Sequence, residues 1–246
     1  MILEERAYIK MKFSKRMDLF GESIFTTLAN MRSERKKQGL EVIDLSIGAP
    51  NIPPTQEVME TIAKEAMKPE NYLYAIQDAV DLQNTVKEWY ERRYGVVIDP
   101  TTELTSLLGS QDGLAHLALT LVDEGDTVLV QDPCYPIFRD GPLLVGAHVV
   151  TMPLLKENDY LIDFDMIDEK TAQDAKYMIV SYPNNPTCGV ANDEFYKKLI
   201  VFAKKYNIVV LHDNAYSELL FEGPGHSFLE FEGAKDVGIE FNSLSK

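Results

Sequence analysis

From residue 103 onward the chain repeats one pattern: a short apolar run, a polar cluster, then a stretch of helical period. The apolar runs are 104–108, 127–130, 147–152, 177–181, 208–211 and 237–241. Runs this short and this continuously apolar are dry on both faces, so they read as strands covered by helices on either side. Strands alternating with helices require crossover connections, hence parallel pairing. The expectation is an α/β fold, with a mixed, mostly parallel sheet and helices on both faces. Upstream the signals are looser. Residues 26–37 read as a helix stopped by Gly39, and 42–47 alternate like a strand leading into Gly48, Ala49 and Pro50. Residues 55–67 and 81–94 read as helices, the second ended by Gly95. Residues 1–20 read as an irregular arm, locally basic through Lys10, Lys12, Lys15 and Arg16, with Met11 as an alternative start.

The chain has 246 residues, enough for one large core or two smaller ones. Its 24 Lys and Arg stand against 39 Asp and Glu, a net charge of −15 that repels nucleic acid and anionic lipid. Cys134 and Cys188 have neither metal-ligand nor disulfide-framework spacing, so free thiols in a reducing compartment are expected. Residues 1–20 lack the apolar core of a secretory signal, and no run approaches a membrane span. A cytoplasmic protein with no nucleic-acid partner, membrane partner or metal is the expectation.

In sheets of this kind ligands sit beyond the carboxyl ends of the strands. The polar residues of interest fall there. Gly109, Ser110 and Gln111 lie between a strand and a helix start, where free amides suit a phosphate; an ordinary capping turn fits as well. Asp213 ends an apolar strand, where a carboxylate needs a partner: an ion pair, a cap, or a protonated ring nitrogen beside it. Asn185 lies in a Pro-Asn-Asn-Pro turn and could simply make that turn, or donate its amide to a phenolate. Tyr216 could donate to the same oxygen. Tyr135 could stack on an aromatic ligand or simply pack. Lys246, after Ser243 and Ser245, is either a polar turn residue or a partly buried amine that forms an imine. Together these groups describe a ligand with a phosphate, a pyridine nitrogen, a phenolic oxygen and an aldehyde: pyridoxal phosphate (PLP).

The set Gly-Ser-Gln (109–111), Asp-Pro-Cys-Tyr-Pro (132–136), Tyr-Pro-Asn-Asn-Pro-Thr (182–187), His-Asp-Asn-Ala-Tyr (212–216) and Ser-Leu-Ser-Lys (243–246) resembles the class I/II PLP-dependent aminotransferases of fold type I. It is most similar to the LL-diaminopimelate, aspartate and alanine branch. The resemblance implies that Lys246 holds PLP as an aldimine and moves the α-proton. It implies Asp213 on the pyridine nitrogen, Asn185 and Tyr216 on the ring oxygen, and Tyr135 stacked on the ring. Ser110, Gln111 and Ser243 would hold the phosphate. Gly48 and Asn185 would lie by the substrate, and Tyr74, two residues from Tyr72, would reach the partner subunit's site. The implied reaction is ping-pong transamination between an amino acid and a 2-oxo acid, with 2-oxoglutarate as acceptor, in a homodimer. The implied division is an arm and the start of a small domain over 1–45, and a PLP-binding large domain over 46–246.

Two departures carry expectations. The family has glycine directly after Asn-Asn-Pro-Thr, whereas Cys188 stands here and Gly189 follows. Either Cys188 takes a positive φ under strain, or the turn shifts to use Gly189. The family's chain also continues beyond its lysine, with one sheet strand, two arginines and most of the small domain. A sequence stopping at Lys246 therefore reads as cut. A β-eliminating lyase of the same fold, a regulator's ligand-sensing domain and a non-catalytic fragment remain alternatives.

Overall fold

A computed structural model describes residues 12–48 and 50–246. The chain divides after Gly48 into two compact units.

The first unit holds a short 3-10 helix, Lys15–Leu19, capped by Ser14, and helix α1, Ile24–Lys37. The arm expected over 1–20 thus contains a helical turn; Lys10 and Met11 lie outside the described residues. The strand expected over 42–47 does not form. Asp44 instead turns the chain on itself, its Oδ1 accepting from the Ser46 amide at 3.0 Å while its Oδ2 pairs with Arg32. Ile43 and Leu45 stand exposed, and no strand pairs with this segment among the described residues.

The second unit begins with α2, Gln56–Glu65, and α3, Val80–Tyr94. Gly95 ends α3 in the left-handed conformation, φ +68°. The sheet follows: β1 Thr127–Asp132, β2 His148–Pro153, β3 Ala175–Ser181, β4 Val209–Asp213 and β5 Gly238–Phe241. Its order is β2-β1-β3-β4-β5 and every pairing is parallel. The chain steps outward from β1 to β2, then returns to β3 on the other side of β1. The strand order therefore reverses at the β1–β3 junction, where crevices open in such sheets.

Each strand alternates its side chains between two cores. Val128, Val130, Tyr177, Ile179, Leu211 and Phe241 face one core, with Leu114 and Ala118 of α4 (Ser110–Leu121) and Phe138 of α5 (Pro136–Leu144). Leu129, Met178, Val180 and Val210 face the other, against α7 (Asp193–Tyr206). Between β2 and β3 lies the short α6, Glu169–Asp174. In α7, Phe195, Tyr196, Leu199, Ile200 and Ala203 form one buried stripe at helical spacing. Asn192 caps its start, Oδ1 accepting from the Phe195 amide at 2.9 Å.

The strand expected at 104–108 is the one apolar run after residue 103 that does not join the sheet. Leu108 is exposed, and the Ser106 amide donates to Asp78 Oδ2 at 2.9 Å instead of to a strand. An apolar run becomes a strand only when an adjacent edge accepts its hydrogen bonds, and none of the five strands borders this one.

Candidate active site

Because all five strands run the same way, their carboxyl ends share one edge of the sheet. Asp213 is the last residue of β4 and faces the α4–α5 side with Leu211. Its register neighbours are Ser181 on β3 and Phe241 on β5. Asp213 is 6 % exposed, and its Oδ1 has no hydrogen-bond partner among the described residues. Burial pushes its pKa up to about 6 from 3.8, opposed by the charge of His212, the Ala215 amide and Lys246. The hydroxyl of Ser181, on the same face, is likewise buried and unpartnered.

Around Asp213 the expected residues gather. Asn185 Nδ2 donates to the Tyr216 hydroxyl at 3.3 Å. Burial, then the charge of Asp213, raises the Tyr216 pKa, so the phenol keeps its proton. Lys246 Nζ lies 5.4 Å from the centroid of the Tyr216 ring. Tyr135, the N-cap of α5, donates its hydroxyl to Gln111 Oε1 at 3.1 Å and sets its ring edge-on to Phe138. Ser110 and Gln111 open α4, so the amides and dipole of its first turn point out of the strand-end edge. Gly109 at φ +94° makes the turn before them, a conformation only glycine adopts cheaply. Ser243 Oγ sits 2.7 Å from Ser245 Oγ and accepts from the Ser245 amide at 3.1 Å.

Two expected residues lie on other segments of the chain. Gly48 belongs to the first unit. Tyr74 is 91 % exposed on the segment before α3, whereas nearby Tyr72 is tied to the Ala66 carbonyl at 2.6 Å.

The turn after β3 decides between the two conformations open to Cys188. Cys188 itself takes φ +61°. Gly189 has an ordinary φ and is needed for space: a Cβ there would lie 3.2 Å from both the Asp159 carbonyl oxygen and the Tyr160 Cβ. Conformation and clearance are thus divided between two residues.

Several residues that support the site were not singled out from the sequence. Gln131 at the end of β1 is buried, and its Oε1 accepts from the Ser181 amide at 2.8 Å and from Asn184 Nδ2 at 3.2 Å. Asn184 Oδ1 in turn accepts from the amide and hydroxyl of Thr187, which fixes the turn that presents Asn185. A glutamine ending an otherwise apolar strand was the available signal.

This donor set fits pyridoxal phosphate. A buried carboxylate oxygen without a partner costs several kcal/mol unless a cationic N–H meets it, and a protonated pyridine nitrogen is such a donor. The amine of Lys246, the phenol of Tyr216 and the amide of Asn185 lie on the same side, and a helix start faces the same edge.

A parallel α/β sheet with this set of strand-end groups is the large-domain architecture of PLP enzymes of fold type I. The chain belongs to the class I and II aminotransferases, a PLP-dependent family whose pattern matches residues 41–246. Among curated relatives, the LL-diaminopimelate aminotransferase of Aquifex aeolicus is 42 % identical over 238 residues, covering 96 % of this chain and 61 % of the relative. That of Dehalococcoides mccartyi strain 195 gives the same identity and coverage. Among solved structures, substrate-bound BacF from Bacillus subtilis superposes with TM-score 0.88 at 34 % identity, covering 96 % of this chain and 60 % of that one. The sequence thus spans about three fifths of the relatives it matches.

Proposed function

We propose that the polypeptide carrying this sequence is an aminotransferase that moves an amino group from an amino acid to a 2-oxo acid by a ping-pong reaction, with 2-oxoglutarate as acceptor. The observation that carries the reading is Asp213: a buried carboxylate with an unpartnered oxygen, beside Lys246, Tyr216 and Asn185. LL-diaminopimelate is the donor to test first, because the relatives quoted above carry that name.

When bound, pyridoxal phosphate supplies the electron sink for a carbanion at the α-carbon of an amino acid. The residues divide the remaining work. Asp213 holds a proton on the ring nitrogen, since the ionised carboxylate is stable in its buried position only against a cation. Asn185 donates to the oxygen of Tyr216, which leaves the phenol proton free to point at the ring oxygen. Tyr135, tied to Gln111, presents its ring as a stacking surface. Ser110, Gln111 and Ser243 offer donors to a phosphate at the positive end of α4. Lys246 anchors the cofactor and carries the α-proton from the substrate carbon. A homodimer, with Tyr74 reaching the partner's phosphate, fits the exposure of that residue.

Lys246→Ala in the complete polypeptide is expected to lower transamination by at least about a thousandfold, read as glutamate formed from 2-oxoglutarate. Retained turnover would sink the proposal. Release of ammonia without glutamate would instead identify a lyase.

A further inference from the structure

Behind Asp213, on the opposite face of β4, lies a buried ionisable cluster that the reaction as described does not use. Glu240 of β5 and His212 of β4 are register partners, and both side chains are fully buried. Each Glu240 oxygen accepts twice. Oε1 takes the Tyr90 hydroxyl at 2.9 Å and the Ser227 hydroxyl at 2.8 Å; Oε2 takes the Phe228 amide at 2.7 Å and His212 Nδ1 at 3.1 Å. The other imidazole nitrogen, Nε2, faces the Tyr196 hydroxyl at 3.4 Å. Three of the four donors to Glu240 are neutral, so His212 is the one contacting group able to bring a positive charge to that carboxylate.

Two ionisable groups in a dry core are a poor way to add stability. An apolar pair of the same volume is usually as stable or more so. The placement points to another use. His212 is the neighbour of Asp213 in sequence, whereas Glu240 is one strand further away. The member of the pair able to carry positive charge is therefore the one nearer the carboxylate.

We propose that Glu240 and His212 are a positioning pair for Asp213. Glu240 accepts from His212 Nδ1 and so fixes the ring behind Asp213, and the charge of His212 favours the ionised Asp213 that faces the cofactor's ring nitrogen. The proposal rests on the aminotransferase reading for its purpose. The direction agrees with the forces on Asp213: burial raises its pKa, and His212 is the largest influence lowering it, ahead of the opposing charge of Glu240. The other titratable groups around the pair are Tyr90 and Tyr94 from α3, Tyr196 from α7, and Tyr182 and Glu230, all felt by Tyr196 or Tyr90. Lys246 and Tyr216 face Asp213 from the site side.

The test uses the complete polypeptide without cofactor. Ionisation of Asp213 is followed by isotope-edited infrared spectroscopy, through the carboxyl band that Asp213→Asn removes. His212→Gln keeps a donor for Glu240 but no charge, and is expected to raise the ionisation midpoint by about one pH unit. The double variant His212→Gln/Glu240→Gln also removes the stranded anion, so its midpoint falls back between those of the single variant and the wild type. Tyr90→Phe deletes one neutral donor and is expected to lower the melting temperature without moving the midpoint. A midpoint in His212→Gln within about 0.2 unit of wild type, or a double variant displaced further than the single, would overturn the proposal. If His212→Gln does not fold, the double variant still decides: its midpoint lies above wild type, and equality refutes the pair. Equilibrium dialysis adds the cofactor: PLP affinity of His212→Gln falls several-fold near pH 6 and recovers near pH 8.5. A wild type that binds no PLP would refute the aminotransferase reading, while the infrared result on cofactor-free protein would still decide the pair.

Discussion

Asp213→Asn is expected to stabilise the polypeptide while disabling it, and the size of the effect follows from burial. In the folded chain the carboxyl titrates at about 6 against an ordinary 3.8, a difference of about two pH units. At about 1.4 kcal/mol per unit, ionised Asp213 costs the cofactor-free fold about 3 kcal/mol. The sign is that of a raised carboxyl. Below about pH 4 it is protonated both folded and unfolded, and the native state carries no penalty. As pH rises from about 4 to 6 the unfolded chain gives up its proton first, and stability is lost; above about 6 the full penalty stands. Asparagine has nearly the same shape and no charge to bury. It can also keep the bond from the Ala215 amide. Urea unfolding of the cofactor-free proteins is therefore expected to give equal stability near pH 3.5 and an advantage of about 3 kcal/mol for Asp213→Asn near pH 7.5. Adding PLP reverses the order, because the cationic ring nitrogen meets the aspartate and not the amide. A pH-independent difference, or an asparagine variant less stable at pH 7.5 without cofactor, would refute the claim that Asp213 is a buried anion lacking its partner.

Two further substitutions test the frame around it. Cys188→Gly relieves a left-handed residue at φ +61° and is expected to raise unfolding stability by about 1 kcal/mol, measured as a higher urea midpoint. Gly225→Ala does the opposite, since a Cβ there would lie 2.0 Å from the Ser217 carbonyl oxygen. Moving that backbone shifts the segment bearing Tyr216, so a loss of at least about 2 kcal/mol and weaker PLP binding are expected by thermal denaturation and dialysis.

Much of the sheet is legible in the sequence because each strand that forms is a dry run bounded by turn residues. Runs 127–130, 147–152, 177–181, 208–211 and 237–241 all appear within one or two residues of the observed strands. The two that fail, 42–47 and 104–108, are also mainly apolar but carry polar residues within the run, Asp44 and Ser46 in one, Thr105 and Ser106 in the other. Neither pairs with a strand among the described residues, and partnership is a tertiary property that no window of sequence contains. The site divides the same way. Lys246, Asp213, Asn185 and Tyr216 are legible because each is a polar residue placed where a strand ends, and the fold sends strand ends to one edge. Glu240 sits inside a strand and looks like a solvent-facing residue in an alternating pattern. Its hydroxyl donor Tyr90 lies 150 residues away, on a helix whose packing nothing local announces. Gln131 is hidden for the same reason, 50 residues from the Ser181 amide it receives.

Cys188 in a glycine's seat has a practical consequence. Its thiol is exposed, three residues from Asn185, while Cys134 is half-buried and its pKa is pushed up to about 11. Within this sequence a maleimide at neutral pH therefore has one fast target, because the thiolate is the reacting form and Cys134 almost never carries it. A small fluorophore on Cys188 would stand at the rim of the proposed site without any engineered attachment point. Its emission would report arrival and departure of the cofactor in real time.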